Sequence, residues 1–342
     1  MSTITFIGAG VMASALTFPS FENGHALRLV GTPLDKDIID GLRKDRTHLN
    51  LKETLYEGID FYQCGEMEDA LQGCDLVLCG VSSFGVEWFA EEALPKIPVG
   101  VPVLSVTKGL LDLEDGSLQT FPDYWKSIRP DIDFYAIGGP CIAKELTHHQ
   151  ETWVAYCGQD MEELDRIRKL FETDYYHVTL TDDVTGLEVA VALKNGYALG
   201  VSLAVGVVEK EQGEGVAVYN PQAGLFGEAM NEMRQLIALT GGRVESLMYG
   251  VGDLYVTVFG GRSRKIGVLL GQGYSRQEAE EKLSGETLES VVIASRVARA
   301  LRKQAEQGKV DLKDYPLVIH EDEILNQNRQ VKIPWEAIAH NK

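Results

Sequence analysis

Directly after a short β-rich run, Ile4-Thr5-Phe6-Ile7, the chain reads Gly8-Ala9-Gly10-Val11-Met12-Ala13. A G-x-G-x-x-small pattern between a strand and a helix leaves few folds open. The first glycine allows a tight turn, and the second lets backbone approach a pyrophosphate. The small third residue, Ala13, lets the helix pack close to the strand, and the helix N-terminus faces the anion. Gly8, Gly10, Val11, Met12 and Ala13 are therefore candidate dinucleotide-binding residues.

The following segments agree. A second strand is predicted at Leu27–Val30, and an acidic helix at Glu66–Leu71 leads into the apolar run Asp75–Val81. Val101–Val106 and Phe134–Ile137 add further apolar strands. Continuous apolar strands alternating with helical stretches mark a parallel sheet covered on both faces. From about residue 184 the pattern changes. Val184–Val208 is apolar nearly all round, which predicts a buried central helix. Phe226, Met230, Met233 and Ile237 recur on one face of a helix within Gln222–Ile237, and Gly271–Leu283 and Leu288–Gln304 also read as helical. The expectation is an α/β chain: a Rossmann domain with a mainly parallel sheet over residues 1–183, then an all-α domain over residues 184–342. A length of 342 residues suits two domains.

The formal net charge of −19 argues against a nucleic-acid partner and an anionic membrane surface. It also means that an anionic substrate would need a local group of cations to overcome the global field. The five cysteines, Cys64, Cys74, Cys79, Cys141 and Cys157, show no metal-ligand spacing and read as reduced thiols, so no metal site is expected. Residues 1–7 read as the opening strand rather than a signal peptide, and no apolar run reaches the roughly 18 residues of a membrane span. The expectation is a cytoplasmic protein with no membrane insertion.

Three further segments carry charge where it is informative. Val103-Leu104-Ser105-Val106-Thr107-Lys108-Gly109 places a lysine at the end of an apolar strand, on the sheet edge where open α/β sheets bind ligands. Lys194 lies inside the predicted buried helix, where a lysine needs a partner or a function. Gly250–Thr257 is followed by Gly261-Arg262-Ser263-Arg264-Lys265, read as a short basic loop and candidate anion site. The end of the second strand, Val30-Gly31-Thr32-Pro33-Leu34-Asp35, shows no carboxylate at the strand tip for a ribose and no arginine for a 2′-phosphate. The choice between NAD and NADP stays open.

Taken in order, these pieces resemble the NAD(P)-dependent glycerol-3-phosphate dehydrogenase family nearly end to end. The matching segments are Gly8-Ala9-Gly10, Ser105–Gly109, Gly139-Pro140-Cys141-Ile142-Ala143-Lys144-Glu145, Gly186–Glu188 with Ala192–Asn195, Gly252–Leu254 with Thr257, Ser263-Arg264, and Leu288–Ser290. The resemblance implies an enzyme that interconverts dihydroxyacetone phosphate and sn-glycerol 3-phosphate with NAD or NADP. Lys194 matches the proton-transfer lysine and Lys108 a lysine of the same cleft. Asn195, Asp253 and Thr257 match residues that orient the reacting end. Ser263, Arg264 and Lys265 match the phosphate grip, with Arg264 and Glu289 also near the cofactor. Gly139, Cys141 and Ala143 match the loop between cofactor and substrate, and Thr32 the strand tip beside the nucleotide. A homodimer is implied as well.

The chain departs from the family pattern at three places. Ser263-Arg264-Lys265 stands where Ser-Arg-Asn is usual, Cys141 where Ser, Thr or Asn follows Gly-Pro, and Met12-Ala13 where an aromatic residue and glycine are common. Lys265 and Cys141 keep open a related Rossmann dehydrogenase acting on a different phosphorylated or carboxylated hydroxy compound. A nucleotide sensor without activity would need neither Lys108 nor Lys194. Ketone reduction needs a proton donor at the oxygen, and Lys194 as an ammonium would serve. Lys108, Lys194, Arg264 and Lys265 would together form a positive funnel within a negative molecule.

Overall fold

The structure, a computed structural model, describes residues 1–340. The chain divides into two compact units: residues 1–108 with 121–184, and residues 109–120 with 185–342.

The first unit is built on ten-residue-scale alternation of strands and helices around one sheet. Its strands are β1 (Thr3–Ile7), β2 (Ala26–Val30), β3 (Asp60–Tyr62), β4 (Leu76–Cys79), β5 (Val103–Ser105), β8 (Phe134–Gly138), β9 (Thr152–Cys157) and β10 (Tyr176–Thr181), with β6 (Leu110–Asp112) and β7 (Leu118–Thr120) forming a separate hairpin. The sheet order is β10-β9-β8-β5-β4-β1-β2-β3. The strands from β8 to β3 are mutually parallel, while β9 pairs antiparallel with β8 and β10 runs parallel to β9. Ile4, Phe6, Leu76, Leu78 and Leu104 are fully buried, as strands covered on both faces require. The mainly parallel Rossmann sheet expected from the apolar runs is present, with β9 and β10, parallel to each other, added antiparallel to it at one edge. The opening helix extends from Val11 to Glu22, beyond the segment that the glycine motif alone marks out.

Among the described residues, the second unit is mainly helical from residue 185, and its β element is the hairpin β6–β7, which comes from earlier in the chain. The helical domain expected from residue 184 is present, and by its contacts the segment 109–120 groups with it. The reason lies in side chains distant in sequence. Arg296 Nη1 donates to Leu110 O at 2.8 Å, Arg299 pairs with Asp112 at 2.8 Å, and Gln304 Nε2 donates to Gly116 O at 2.8 Å. All three come from one helix, Glu289–Glu306.

The central helix is Val184–Gln212. By length and composition it is apolar enough to cross a membrane, but 78% of its most apolar window is buried within the protein, as a core helix should be. Leu187, Val189, Ala190, Val191, Leu199, Val201 and Leu203 are fully buried along it. Two helical expectations change. The basic segment Gly261–Lys265 begins a helix, Gly261–Gly271, rather than forming a loop. Gly271–Leu283 is broken: the chain turns at Gly273 (φ +99°) and a new helix, Arg276–Lys282, starts at a Ser275/Glu278 capping box.

Candidate active site

In the first unit the sheet register sets the site. Ile7 pairs with both Val30 and Cys79, Cys79 with Ser105, and Ser105 with Ala136. The carboxyl ends of β1, β2, β4, β5 and β8 are therefore level. The segments singled out by sequence, Gly8–Ala13, Thr32, Thr107-Lys108 and Gly139–Ala143, all leave the sheet at that one edge. The strand order reverses between β1 and β4, where open α/β sheets bind their ligands.

Gly8 has φ +104°, and a Cβ there would meet Gly80 backbone at 2.9 Å, so the first glycine is required by the turn itself. Gly10 differs. It caps the helix at φ −70°, ψ 164°, and a Cβ would meet nothing closer than Gly80 O at 3.4 Å. The chain does not itself demand glycine at position 10, whereas close approach of an anion to the helix N-terminus does. Ala13 is buried, and a Cβ on Gly80 would lie 2.4 Å from its own Cβ, so the small residue sets the helix-to-strand approach. This cradle fits a dinucleotide pyrophosphate. Val11 is partly exposed at its rim, and Met12 Sδ lies 3.8 Å from Cys141 Sγ, which joins the Gly-Pro-Cys turn to the glycine turn. Ala143 opens the short helix Ala143–Thr147, and Lys108 Nζ donates to Gly139 O at 3.2 Å.

One sequence expectation is overturned here. A carboxylate does stand at the tip of β2. The chain turns back at Pro33-Leu34, with Asp35 N donating to Thr32 O at 3.0 Å. Asp35 Oδ2 accepts from Thr32 N (2.8 Å), Thr32 Oγ1 (2.7 Å) and Ala9 N (3.1 Å). The spacing from the strand end concealed it, although a Thr-x-x-Asp turn after a strand was a readable signal.

The second unit holds Lys194, the lysine expected from the sequence to transfer the proton. The helix Leu247–Val258 packs against the central helix closely enough that a Cβ on Gly250 would meet Ala190 O at 2.7 Å. One turn further on, Lys194 Nζ donates to Asp253 Oδ1 at 2.9 Å and to Thr257 Oγ1 at 3.1 Å. Lys194 is 15% exposed and Asp253 3%. Thr257 donates its own hydroxyl to Asp253 O at 2.7 Å, so its oxygen lone pairs face the lysine. The buried lysine thus has the partners its burial requires. Asn195 accepts from Ser263 Oγ and donates to Glu289 Oε2, each at 3.5 Å, linking three expected site residues.

Arg262 and Arg264 stand in the first turn of their helix, where cations oppose the helix dipole, and Lys265 follows directly after it. Arg264 Nη1 is anchored to Val258 O at 3.0 Å, using one of the guanidinium donors. Lys265 Nζ lies 2.6 Å from Glu286 Oε1, a partner the sequence did not suggest. Of the four cations expected to make a funnel, Lys194 and Lys265 carry carboxylate partners, Asp253 and Glu286. Among the described residues, no three His, Cys, Asp or Glu side chains are grouped to hold a metal ion.

The comparisons with known proteins agree across the whole chain. Residues 3–164 match the profile of the NAD-dependent glycerol-3-phosphate dehydrogenase N-terminus, and residues 183–336 that of its C-terminus. An NADP(+)-dependent glycerol-3-phosphate dehydrogenase of Archaeoglobus fulgidus is 34% identical over 284 residues, covering 82% of this chain and 83% of the relative. A glycerol-3-phosphate dehydrogenase [NAD(P)+] of Xanthomonas campestris is 30% identical over 322 residues, covering 90% and 87%. The crystal structure of glycerol-3-phosphate dehydrogenase from Coxiella burnetii shares the fold, with a TM-score of 0.82 at 21% identity over 99% of this chain and 98% of that one.

Proposed function

The chain belongs to the NAD-dependent glycerol-3-phosphate dehydrogenase family, and from that premise we propose that it interconverts dihydroxyacetone phosphate and sn-glycerol 3-phosphate, with Lys194 as general acid and base. It is an NAD(P)-dependent enzyme, as its relatives are. The observation that carries the role of Lys194 is its seat: a buried amine held by Asp253 and Thr257 at 2.9 and 3.1 Å.

In the first unit, the residues that would hold the dinucleotide are Gly8, Gly10, Val11, Met12 and Ala13, with Thr32 at the strand tip and Ala143 at the neighbouring turn; in the helical unit, Arg264 and Glu289 are the cofactor-binding candidates. When bound, the nicotinamide supplies or takes the hydride. Everything else falls to the chain. Lys194 as an ammonium polarises the ketone oxygen and gives it a proton, and in the reverse direction the neutral amine takes the alcohol proton. General acid–base transfer of this kind is worth roughly 10²–10⁴-fold. Asp253 and Thr257 fix the amine in direction, and Asp253 favours its charged form. Asn195 fixes the substrate end through Ser263 and Glu289. In the first unit, Lys108, Gly139 and Cys141 are the candidate substrate-binding residues.

Phosphate recognition falls to Ser263 and Arg264. Two cations in the first turn of a helix, Arg262 and Arg264, disfavour that helix by about 0.3–1 kcal/mol each, an arrangement that an incoming dianion would reverse. Lys265 contributes charge only as far as Glu286 leaves it uncompensated. The purified protein should oxidise NADH or NADPH in the presence of dihydroxyacetone phosphate. Absence of turnover with either cofactor would overturn the substrate reading.

A further inference from the structure

The backbone N–H and C=O of Ala9 are both held from outside the glycine turn. Ala9 N donates to Asp35 Oδ2 at 3.1 Å, and Ala9 O accepts from His48 Nε2 at 2.9 Å. Neither Asp35 nor His48 belongs to the glycine motif or to the residues that the family resemblance brings forward. We infer that Asp35 and His48 are positioning residues for the dinucleotide, holding Ala9 from both sides so that the turn Gly8–Gly10 is set before the cofactor arrives. The inference rests on the reading that residues 8–13 hold the cofactor.

The physical case begins with the turn. Two glycines flanking one alanine give a backbone with many accessible conformations, and a ligand that had to order it would lose affinity. Here the order is built in. Gly8 N donates to Val30 O at 2.8 Å, which fixes the start of the turn to β2. Asp35 takes the next N–H, and His48 takes the carbonyl. With the Ala9 N–H turned toward Asp35, the donors left for an anion are those that follow Gly10 at the helix N-terminus. A carboxylate near a pyrophosphate site is unfavourable by itself. Asp35 is tolerable there because Oδ2 accepts three donors, from Thr32 N, Thr32 Oγ1 and Ala9 N.

His48 is fully buried, and its tautomer follows from its contacts. Nδ1 accepts from Asn50 N at 3.2 Å and Leu51 N at 3.0 Å, so it carries a lone pair. The proton is therefore on Nε2, where it is donated to Ala9 O. A second proton on Nδ1 would point at two N–H donors. The charged groups facing the ring oppose one another, Asp35 favouring the imidazolium and Lys52 disfavouring it, and burial pushes the ring below its ordinary value of 6.5. The neutral ring is the form that holds Ala9. As pH falls below 6.5 toward the lower folded value, protonation breaks the Nδ1 contacts, frees the loop 48–51 and releases the turn.

The test uses the full chain. Dissociation constants for NADH and NADPH are read by fluorescence at pH 7.5, and for NAD+ by calorimetry from pH 5.5 to 8. His48→Ala and Asp35→Ala should each weaken binding about tenfold, the factor expected from losing one hydrogen bond of ordinary strength. With saturating cofactor, kcat should stay within about twofold, because neither side chain touches the reacting atoms. His48→Gln keeps an N–H donor near Ala9 O without a titrating group. It should bind within about threefold of the parent, and its affinity should lack the acid-side fall that the parent shows. Parent-like affinity in folded His48→Ala would overturn the inference. So would coincident pH profiles for the parent and His48→Gln, a comparison that decides the matter even where the alanine variant does not fold. Gly10→Val separates this from the reading beneath it. If Gly10→Val binds cofactor normally, the placement of the dinucleotide fails. If it loses binding while the His48 and Asp35 variants do not, the positioning role alone fails.

Discussion

Lys265 Nζ lies 2.6 Å from Glu286 Oε1, so the residue that replaces the family's usual asparagine brings with it a carboxylate that offsets its charge. Lys265 is 55% exposed and Glu286 28%. An exposed pair of this kind contributes little to stability, generally under about 1 kcal/mol. Its effect falls on the local field instead. Glu286→Gln should expose the charge of Lys265 and lower KM for dihydroxyacetone phosphate about two- to fivefold at low salt, with the gain lost as salt rises over the range where the screening length falls below about 10 Å. Lys265→Asn should leave KM within about twofold, because in the parent most of that charge is already compensated. A Glu286→Gln enzyme with unchanged KM at low salt would show that Lys265 stands outside the phosphate grip.

Lys194 and Asp253 make a separable pair of predictions. Lys194→Ala should lower kcat by about 10²–10⁴-fold or more, with cofactor affinity changed little. Asp253→Asn keeps an acceptor for the amine but removes the negative charge, so it should lower kcat by a smaller factor. Removing Asp253's charge favours the neutral amine, so the pH at which oxidation of glycerol 3-phosphate becomes efficient should move down. Rates of both variants across pH 6–10, measured in both directions, check this. A Lys194→Ala enzyme with near-parent turnover would end the assignment.

The two halves were legible in the sequence to different degrees. The glycine turn, the apolar strands and the central helix were readable because each signal is local: Gly8 and Gly10 set a turn, and the run from Val184 is apolar on every face. Three features depended on contacts between distant residues. Asp35 reaches Ala9 only because the chain folds back at Pro33-Leu34. The hairpin β6–β7 docks through Arg296, Arg299 and Gln304, nearly 190 positions away. The helix Asn220–Leu239 buries Leu225, Glu228, Ala229, Glu232, Met233, Leu236 and Ile237, whereas Phe226 and Met230 from the expected apolar stripe are only partly buried. Glu232, outside that apolar stripe, is fully buried and accepts from Leu317 N, Val318 N and the Tyr197 hydroxyl.

That buried carboxyl has a neighbour, and together they set a pH dependence of stability. Neither oxygen of Glu321 meets a hydrogen-bond partner among the described residues. Burial, with the charge of Glu232 added, holds the Glu321 carboxyl well above the usual carboxylate range. Burial likewise raises Glu232 to about 8, against the opposing donors Leu317, Val318 and Tyr197. Because both folded values lie above the unfolded value of 4.5, the native state binds more protons than the unfolded chain across that interval. Stability should therefore fall as pH rises from about 5 through 8, by up to about 1.4 kcal/mol per pH unit for each proton involved. Glu321→Gln removes one titration. Its Tm should match the parent near pH 5 and exceed it at pH 8.5. Parallel Tm curves for the two proteins would show that Glu321 does not titrate in this interval.

The last prediction concerns the group that names the substrate. Arg264 offers a planar fork suited to phosphate oxygens, and its anchor to Val258 O restricts the guanidinium before substrate arrives. The helix it stands on begins with Gly261 and has two cations in its first turn, so its N-terminal N–H groups and Arg264 both favour a dianion. Arg264→Ala should raise KM for dihydroxyacetone phosphate strongly, by about 2–3 kcal/mol or 30- to 150-fold if the charge-assisted bonds are made to a desolvated phosphate. Arg264→Lys keeps the charge but loses the fork, and should recover only part of that loss. The phosphate also positions the ketone for Lys194, so kcat should fall as well in Arg264→Ala, since binding energy remote from the reacting carbon helps to orient it. The discriminating comparison sets dihydroxyacetone phosphate beside unphosphorylated dihydroxyacetone and a carboxylated analogue. In the parent the phosphorylated ketone should be far preferred in kcat/KM, and Arg264→Ala should narrow that preference by lowering only the phosphorylated rate. Equal kcat/KM for the phosphorylated and unphosphorylated ketones in the parent would remove the anion role of Ser263 and Arg264. A preference for the carboxylate would assign this chain a different hydroxy compound while leaving the role of Lys194 intact.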